Sequence, residues 1–224
     1  STNELLCREF EKVMQEKFEM SSMGEMQFFL GLQVDQSESG IFIHQTKYVG
    51  EILSRFKMTE SSSVATPITP SHGISVDAKG EPVDPFIYRA IIGSLMYLTA
   101  SRPDIMFATC LCARYHSKPM QSHLAAAKRI LRYLKGCPSK GLWYPCNNDF
   151  DLLAFSDADY GGCQIDAKST TAGCQFLGGR LITWQCKKQT SVALSTTEAE
   201  YVAASSCCSQ VLWIQQQMRD YGLQ

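Results

Sequence analysis

An α+β architecture is predicted for this chain by three observations. Apolar residues recur at helical spacing near the N-terminus and again across residues 86–136. Two short β-prone runs, QFFLGLQV and IFIHQ, flank a polar turn at residues 37–40, the pattern of a β-hairpin. After Gly141 three more short runs, separated by polar or Gly-Gly turns, lead into a last long helical stretch. The expected order is therefore a helix and hairpin, a helical region, then three strands and a helix.

Each element has its own warrant. Leu6, Phe10, Val13, Met14 and Phe18 share one helical face, which predicts an amphipathic helix over residues 4–19. Val49, Ile52, Leu53 and Phe56 do the same for a short second helix. Residues 59–82 are polar and rich in Pro, Ser and Gly, and read as an extended linker crossing the surface. FIYRAIIGSLMYLTA, SRPDIMFATCLCARYH and HLAAAKRILRYLKG follow as three helices, with Pro103 in the first turn of the second and Gly136 as C-cap of the third. The third carries Ala127, Ile130, Leu131 and Leu134 on one face and Lys128, Arg132 and Lys135 on another. DLLAFSD, TAGCQFLGG and RLITWQC are the late strands, and the closing helix spans about residues 197–218. Three strands with one covering helix are marginal as a free-standing fold.

Composition narrows the function. Of 224 residues, 45% are hydrophobic and 19% charged, enough for a substantial core. There is no apolar run of 18 residues, so no membrane partner is expected. The N-terminus STNELLCREF carries charges where a secretory signal needs an apolar stretch, which points to an intracellular protein, cytoplasmic or nuclear. The ten cysteines sit in apolar contexts such as FATCLCARY and AASSCCSQ, and read as free thiols rather than a disulfide framework. Net charge is only −1, but its distribution is uneven. No Asp or Glu lies between Asp104 and Asp149, where Arg114, Lys118, Lys128, Arg129, Arg132, Lys135 and Lys140 fall. A second acid-free stretch from Ala167 to Thr197 holds Lys168, Arg180, Lys187 and Lys188. Such segregation suits a nucleic-acid partner; a solvated helix face is the plain alternative.

The chemistry-bearing residues are carboxylates. FSDADYGG places Asp157 and Asp159 at the end of a strand, and TTEAEYVAA places Glu198 and Glu200 at the start of a helix. If the two meet, their repulsion calls for a cation, and Mg²⁺ accepts a few hard oxygen ligands while keeping waters for a phosphate. The same residues have a structural reading. Thr197 with Glu200, or Ser195 with Glu198, forms a capping box, and an aspartate beside Gly161 and Gly162 caps a turn. Cys110, Cys112, His116 and His123 are spaced C-x-C-x₃-H-x₆-H, which is no zinc pattern, and core packing is expected for them.

FSDADYGG and DAKSTTAGCQFLGGRLITWQCKKQTSVALSTTEAEYVAAS resemble the RNase H segment of copia-type retrotransposon polyproteins of plants, and QFFLGLQV, YRAIIGSLMYLTASRPDIMFA and HLAAAKRILRYLKG resemble the same polyprotein upstream. The resemblance covers essentially the whole chain. It implies that residues 1–58 are the end of a reverse transcriptase palm with a primer-grip-like hairpin. Residues 59–145 would be a linker and a helical thumb/connection region, and residues 146–224 the first half of an RNase H-like fold. It assigns Asp157 and Glu200 as catalytic metal carboxylates, with Asp159 and Glu198 as bystanders or helpers. The complete family enzyme would use two Mg²⁺ ions, and the partners implied are an RNA–DNA hybrid and the rest of the polyprotein. Lys128, Arg129, Arg132, Lys135, Lys187 and Lys188 are the expected nucleic-acid contacts. The family's YVDD-type polymerase box and its later DNxSA-like and HSKTKH-like runs do not occur in this sequence, so the chain alone is expected to be inactive or nearly so; a catalytically dead nucleic-acid-binding transposon remnant is the alternative.

Overall fold

Asn3 opens the first helix by accepting the Leu5 N–H on its side-chain oxygen at 3.0 Å. In this computed structural model, which describes residues 3–69, 74–147 and 149–223, that helix is α1 (Glu4–Lys17). Its apolar face is there as the spacing predicts, yet none of its residues is buried, and Leu5, Leu6, Phe10 and Val13 face outward.

The hairpin differs from its expected form. QFFLGLQV is not one strand: it folds on itself at Leu30 and Gly31, both with positive φ, so that β1 (Phe28–Phe29) pairs back onto β2 (Leu32–Ser37). β2 then pairs with β3 (Gly40–His44) around the predicted turn. A fourth strand that local pattern did not reveal, β4 (Gly141–Pro145), joins β3 from a hundred residues downstream in an antiparallel sheet of order β1-β2-β3-β4. Five residues are too few for a periodicity signal, and only pairing with Ile41 and Ile43 makes GLWYP a strand.

The helical region forms the main core. α2 (Thr46–Arg55), α3 (Pro85–Leu98), a 3₁₀ turn (Pro103–Ile105) running into α4 (Met106–Ala113), and α5 (Gln121–Gly136) contribute it. Val49, Ile52 and Leu53 pack with Tyr88, Ile91, Leu95 and Leu98 and with Ile130, Leu131 and Leu134. Residues from both sides of position 58 therefore share one core. The predicted apolar stripe of α5 is fully inside, as a 3.6-residue period on a core-facing helix requires. Gly136 is the last helical residue and not the C-cap, which falls to Cys137; the buried Arg102 guanidinium donates to the Cys137 carbonyl at 2.9 Å and fixes the chain's exit. Arg102 is itself paired with Asp104 at 2.8 Å, and Tyr133 donates to the same carboxylate at 2.7 Å.

Of the linker, residues 70–73 lie outside the described residues. The described parts do not merely cross the surface. Val64, Ile68 and Ile74 pack against the core, Tyr115 donates to the Ile74 carbonyl at 3.0 Å, and Val83 and Gln121 pair with Pro119 and Glu81 across a short bridge.

The late strands are β5 (Leu152–Asp159), β6 (Thr170–Leu177) and β7 (Arg180–Lys188), an antiparallel meander in that order, followed by α6 (Thr196–Asp220). α6 covers one face, where Gln175 and Gln185 reach Cys207 and Ser206. The other face meets the helical region: Trp184 donates its indole N–H to the Thr99 carbonyl at 2.9 Å, and Tyr144 donates to the Leu181 carbonyl at 2.9 Å. No helix among the described residues is long and apolar enough to cross a membrane.

Candidate functional site

The two glutamates of TTEAEY have separate positions. Ser195 is the N-cap of α6: its hydroxyl accepts the Glu198 N–H at 3.1 Å, and the Glu198 carboxylate accepts the Leu194 N–H at 2.6 Å. Of the two capping registers, the structure uses Ser195 with Glu198, the Glu198 carboxylate being occupied by the N–H of Leu194, one residue before the N-cap. Glu200 is exposed, with no hydrogen-bond partner among the described residues.

Strand alternation sorts the aspartates. Asp157 aligns with Ala172 and, through it, with Cys186, and it lines a groove of about 330 Å³ between β5–β7 and Met106 and Phe107 of α4. Asp159, two residues on, shares that face, and its partner in register is Thr170. Its Oδ2 is buried without a hydrogen-bond partner. The following turn explains the glycine pair: Gly161 has φ +61°, and any side chain on Gly162 would overlap the Asp159 carboxylate. Glu200 stands on α6, which packs on the opposite face. Asp157 and Glu200 therefore leave from different sides of the sheet layer.

This arrangement does not meet the demands of Mg²⁺, which needs its few carboxylate ligands on one side of a near-octahedral shell. Among the described residues no three of His, Cys, Asp and Glu converge closely enough to hold a metal ion.

The basic residues divide into two groups. Arg132 donates to the Ser62 carbonyl and hydroxyl at 2.8 Å each, Arg129 to the Thr66 hydroxyl at 2.9 Å, and Lys135 to the Ser61 carbonyl at 2.6 Å. These three cations hold the linker against α5 as a strap. Lys188 pairs with Asp166 at 2.8 Å, and that contact, with lesser help from Cys163 and the Lys168 N–H, lowers the Asp166 carboxyl to about 2. Lys128 and Lys187 are exposed, and the side chain of neither takes part in a hydrogen bond or ion pair among the described residues. Of the cysteine–histidine set, Cys112 and His123 are buried as core packing requires, whereas Cys110 is half-buried and His116 exposed; burial lifts the Cys112 thiol to about 12. His123 lies stacked on Tyr115, and its Nε2 is 2.8 Å from the Ser75 carbonyl.

Two side chains carry more than their sequence context suggested. Arg114 spans from α4 to the Thr170 hydroxyl of β6. Buried Gln189 ties the Thr171 hydroxyl to the Ala199 carbonyl and so seats the start of α6. Both contacts are long-range, and nothing local in the sequence marks them.

Known proteins give this arrangement its class. A family model described as reverse transcriptase (RNA-dependent DNA polymerase) matches residues 1–70. The chain is 36% identical over 208 residues to the retrovirus-related Pol polyprotein from transposon RE1 of Arabidopsis thaliana, covering 93% of this chain but 14% of that protein. It is 34% identical to the corresponding polyprotein from transposon TNT 1-94 of Nicotiana tabacum, over 92% of this chain and 16% of that one. The chain thus spans about one-seventh of the length of these polyproteins. It is also 38% identical to the uncharacterized mitochondrial protein AtMg00810 of Arabidopsis thaliana, over 88% of this chain and 81% of that protein. No solved structure matches. The class is that of a retroelement polyprotein with a reverse transcriptase segment. Within it, this chain belongs to the copia-type retrotransposon polyprotein family.

Proposed function

We propose that this chain is a reverse transcriptase–RNase H junction that binds an RNA–DNA hybrid through its sugar–phosphate backbone and does not cleave it with its own residues. The binding reading rests on one observation: Lys128 and Lys187 stand exposed and unpaired in the two acid-free stretches. Backbone contacts from lysine need no base recognition and weaken steeply with salt. The RNase H-like reading of residues 146–224 belongs to the same proposal, supported by FSDADYGG, STTEAEY and the similarity to Pol polyproteins. In a complete family enzyme such a segment would contribute carboxylates to two-metal hydrolysis of the RNA strand. The second reading, a non-catalytic nucleic-acid-binding remnant, is favoured for this chain by the placement of Asp157 and Glu200 on opposite sides of the sheet.

The test is a labelled RNA–DNA hybrid titrated with the chain over a salt series, with and without Mg²⁺. Binding should fall log-linearly with salt, and Lys128→Ala and Lys187→Ala should each reduce the slope by about 1. Binding that ignores salt, or no binding at low salt, removes the hybrid reading. Cleavage by the chain that vanishes in Asp157→Asn overturns the non-catalytic one.

A further inference from the structure

Cys110 on α4 and Cys186 on β7 are 76 positions apart in the chain, yet the Cys110 thiol donates to the Cys186 backbone carbonyl oxygen at 3.4 Å, and Cys186 lies on the face of the sheet that meets α4. We propose that this pair is a redox modification site: a hydroperoxide oxidises it to a disulfide that ties the helical region to the β5–β7 sheet.

The observations support roles for each sulfur. All ten cysteines are free thiols, and Cys110 and Cys186 are neither sealed in the core nor fully exposed. Cys186 borders the groove of about 330 Å³ that opens beside Met106 and Phe107, a path for a molecule as small as peroxide. One helical turn along α4 from Cys110, Arg114 brings a guanidinium whose Nη1 is buried without a partner while Nη2 binds the Thr170 hydroxyl. The hydrogen bond with Cys186 draws the Cys110 thiol below its ordinary pKa; burial opposes this, and the Arg114 charge assists it. Cys186 is moved the other way, first by that same hydrogen bond and then by burial. With the Arg114 guanidinium one helical turn away, Cys110 is assigned as the attacking sulfur and Cys186, reached from the groove, as the resolving one.

The steps balance. The Cys110 thiolate attacks the outer peroxide oxygen, the O–O bond breaks, and hydroxide (or alkoxide) leaves with Cys110 as a sulfenic acid. The Cys186 sulfur then attacks the Cys110 sulfur, the S–OH bond breaks, and the hydroxyl group leaves as water with the Cys186 proton. Two thiols are oxidised and one peroxide is reduced. Closure brings the two sulfurs to the ~2.05 Å of a disulfide.

The test exposes the whole chain to stoichiometric hydrogen peroxide, alkylates remaining thiols without reductant, and maps tryptic peptides by mass. The expected result is a loss of two alkylatable thiols and a cross-link between the peptide holding Cys110 and LITWQCK, reversed by dithiothreitol. Cys110→Ser and Cys186→Ser should each abolish the link, while Cys146→Ser and Cys208→Ser, both at exposed positions, should leave it intact. Ten alkylatable thiols after peroxide, or Cys110 joined to any other cysteine, overturns the proposal. The tryptic peptide with Cys110 also holds Cys112, so fragment spectra that place the link on Cys110 decide this for the unsubstituted chain even if a serine variant folds poorly.

Discussion

Ser195 caps α6 by accepting the Glu198 N–H, and Glu198 accepts the Leu194 N–H, whereas the exposed Glu200 side chain, two positions later, has no hydrogen-bond partner among the described residues. Loss of an N-cap hydroxyl typically costs ~1 kcal/mol, so Ser195→Ala should lower the unfolding free energy by about that much. Glu200→Ala should stay within about 0.5 kcal/mol, as surface changes away from structural features do. Urea unfolding separates the two, and equal losses would refute the assignment of the cap. Asp104 makes a second case. Its burial pushes its pKa upward, but hydrogen bonds from Arg102 and Tyr133, with the Arg102 charge, outweigh that and hold the carboxyl below its ordinary value. A carboxyl depressed in the folded state stabilises above its unfolded pKa, about 3.9, and that contribution is lost as pH falls through the folded value. Stability should therefore drop below about pH 4, and Asp104→Asn should flatten that part of the profile. Because Arg102 is almost wholly buried, the substitution also strands a cation and should cost about 3 kcal/mol at neutral pH.

At the scale of elements, α5 shows how one face can serve two partners. Its apolar side fills the core, and its basic side holds the strap of residues 61–66 through carbonyl and hydroxyl oxygens. The absence of acids around this helix, which suggests phosphate when read linearly, is satisfied in part by backbone oxygens of the chain itself. Replacing Arg129, Arg132 and Lys135 together with alanine should free the strap. Each hydrogen bond contributes about 1 kcal/mol net. The sharper readout is limited proteolysis, where cleavage within residues 59–69 should accelerate severalfold over the unsubstituted chain. An unchanged cleavage rate would show that Val64 and Ile68 hold the strap unaided.

For the whole molecule, the decisive contact is between the helical region and the second sheet. Trp184 bridges them by its N–H to Thr99, beside Tyr144–Leu181 and Cys110–Cys186. Trp184 is only half-buried, so Trp184→Ala should cost about 2 kcal/mol, below the range for a fully buried aromatic. It should also split urea unfolding into two transitions, seen as loss of coincidence between circular dichroism and tyrosine fluorescence; a single transition would show that the sheet and helices unfold together without it.

Helix faces were legible in the sequence because a 3.6-residue period is local: Ala127, Ile130, Leu131 and Leu134 read as core and are core. The late strands and α6 were legible to within two residues at each end, and the motifs FSDADYGG and STTEAEY carried the family. Tertiary structure alone decided the rest. β4 exists because β3 lies ready to pair with it, QFFLGLQV bends because Leu30 and Gly31 adopt left-handed backbone, and three predicted phosphate ligands are turned to the strap. It also decided which glutamate caps α6 and which face of the sheet bears Asp157. The physical reason is the same throughout. Periodicity and capping act within a few residues, whereas strand pairing, buried polar contacts and the sidedness of a sheet depend on residues far away in the chain.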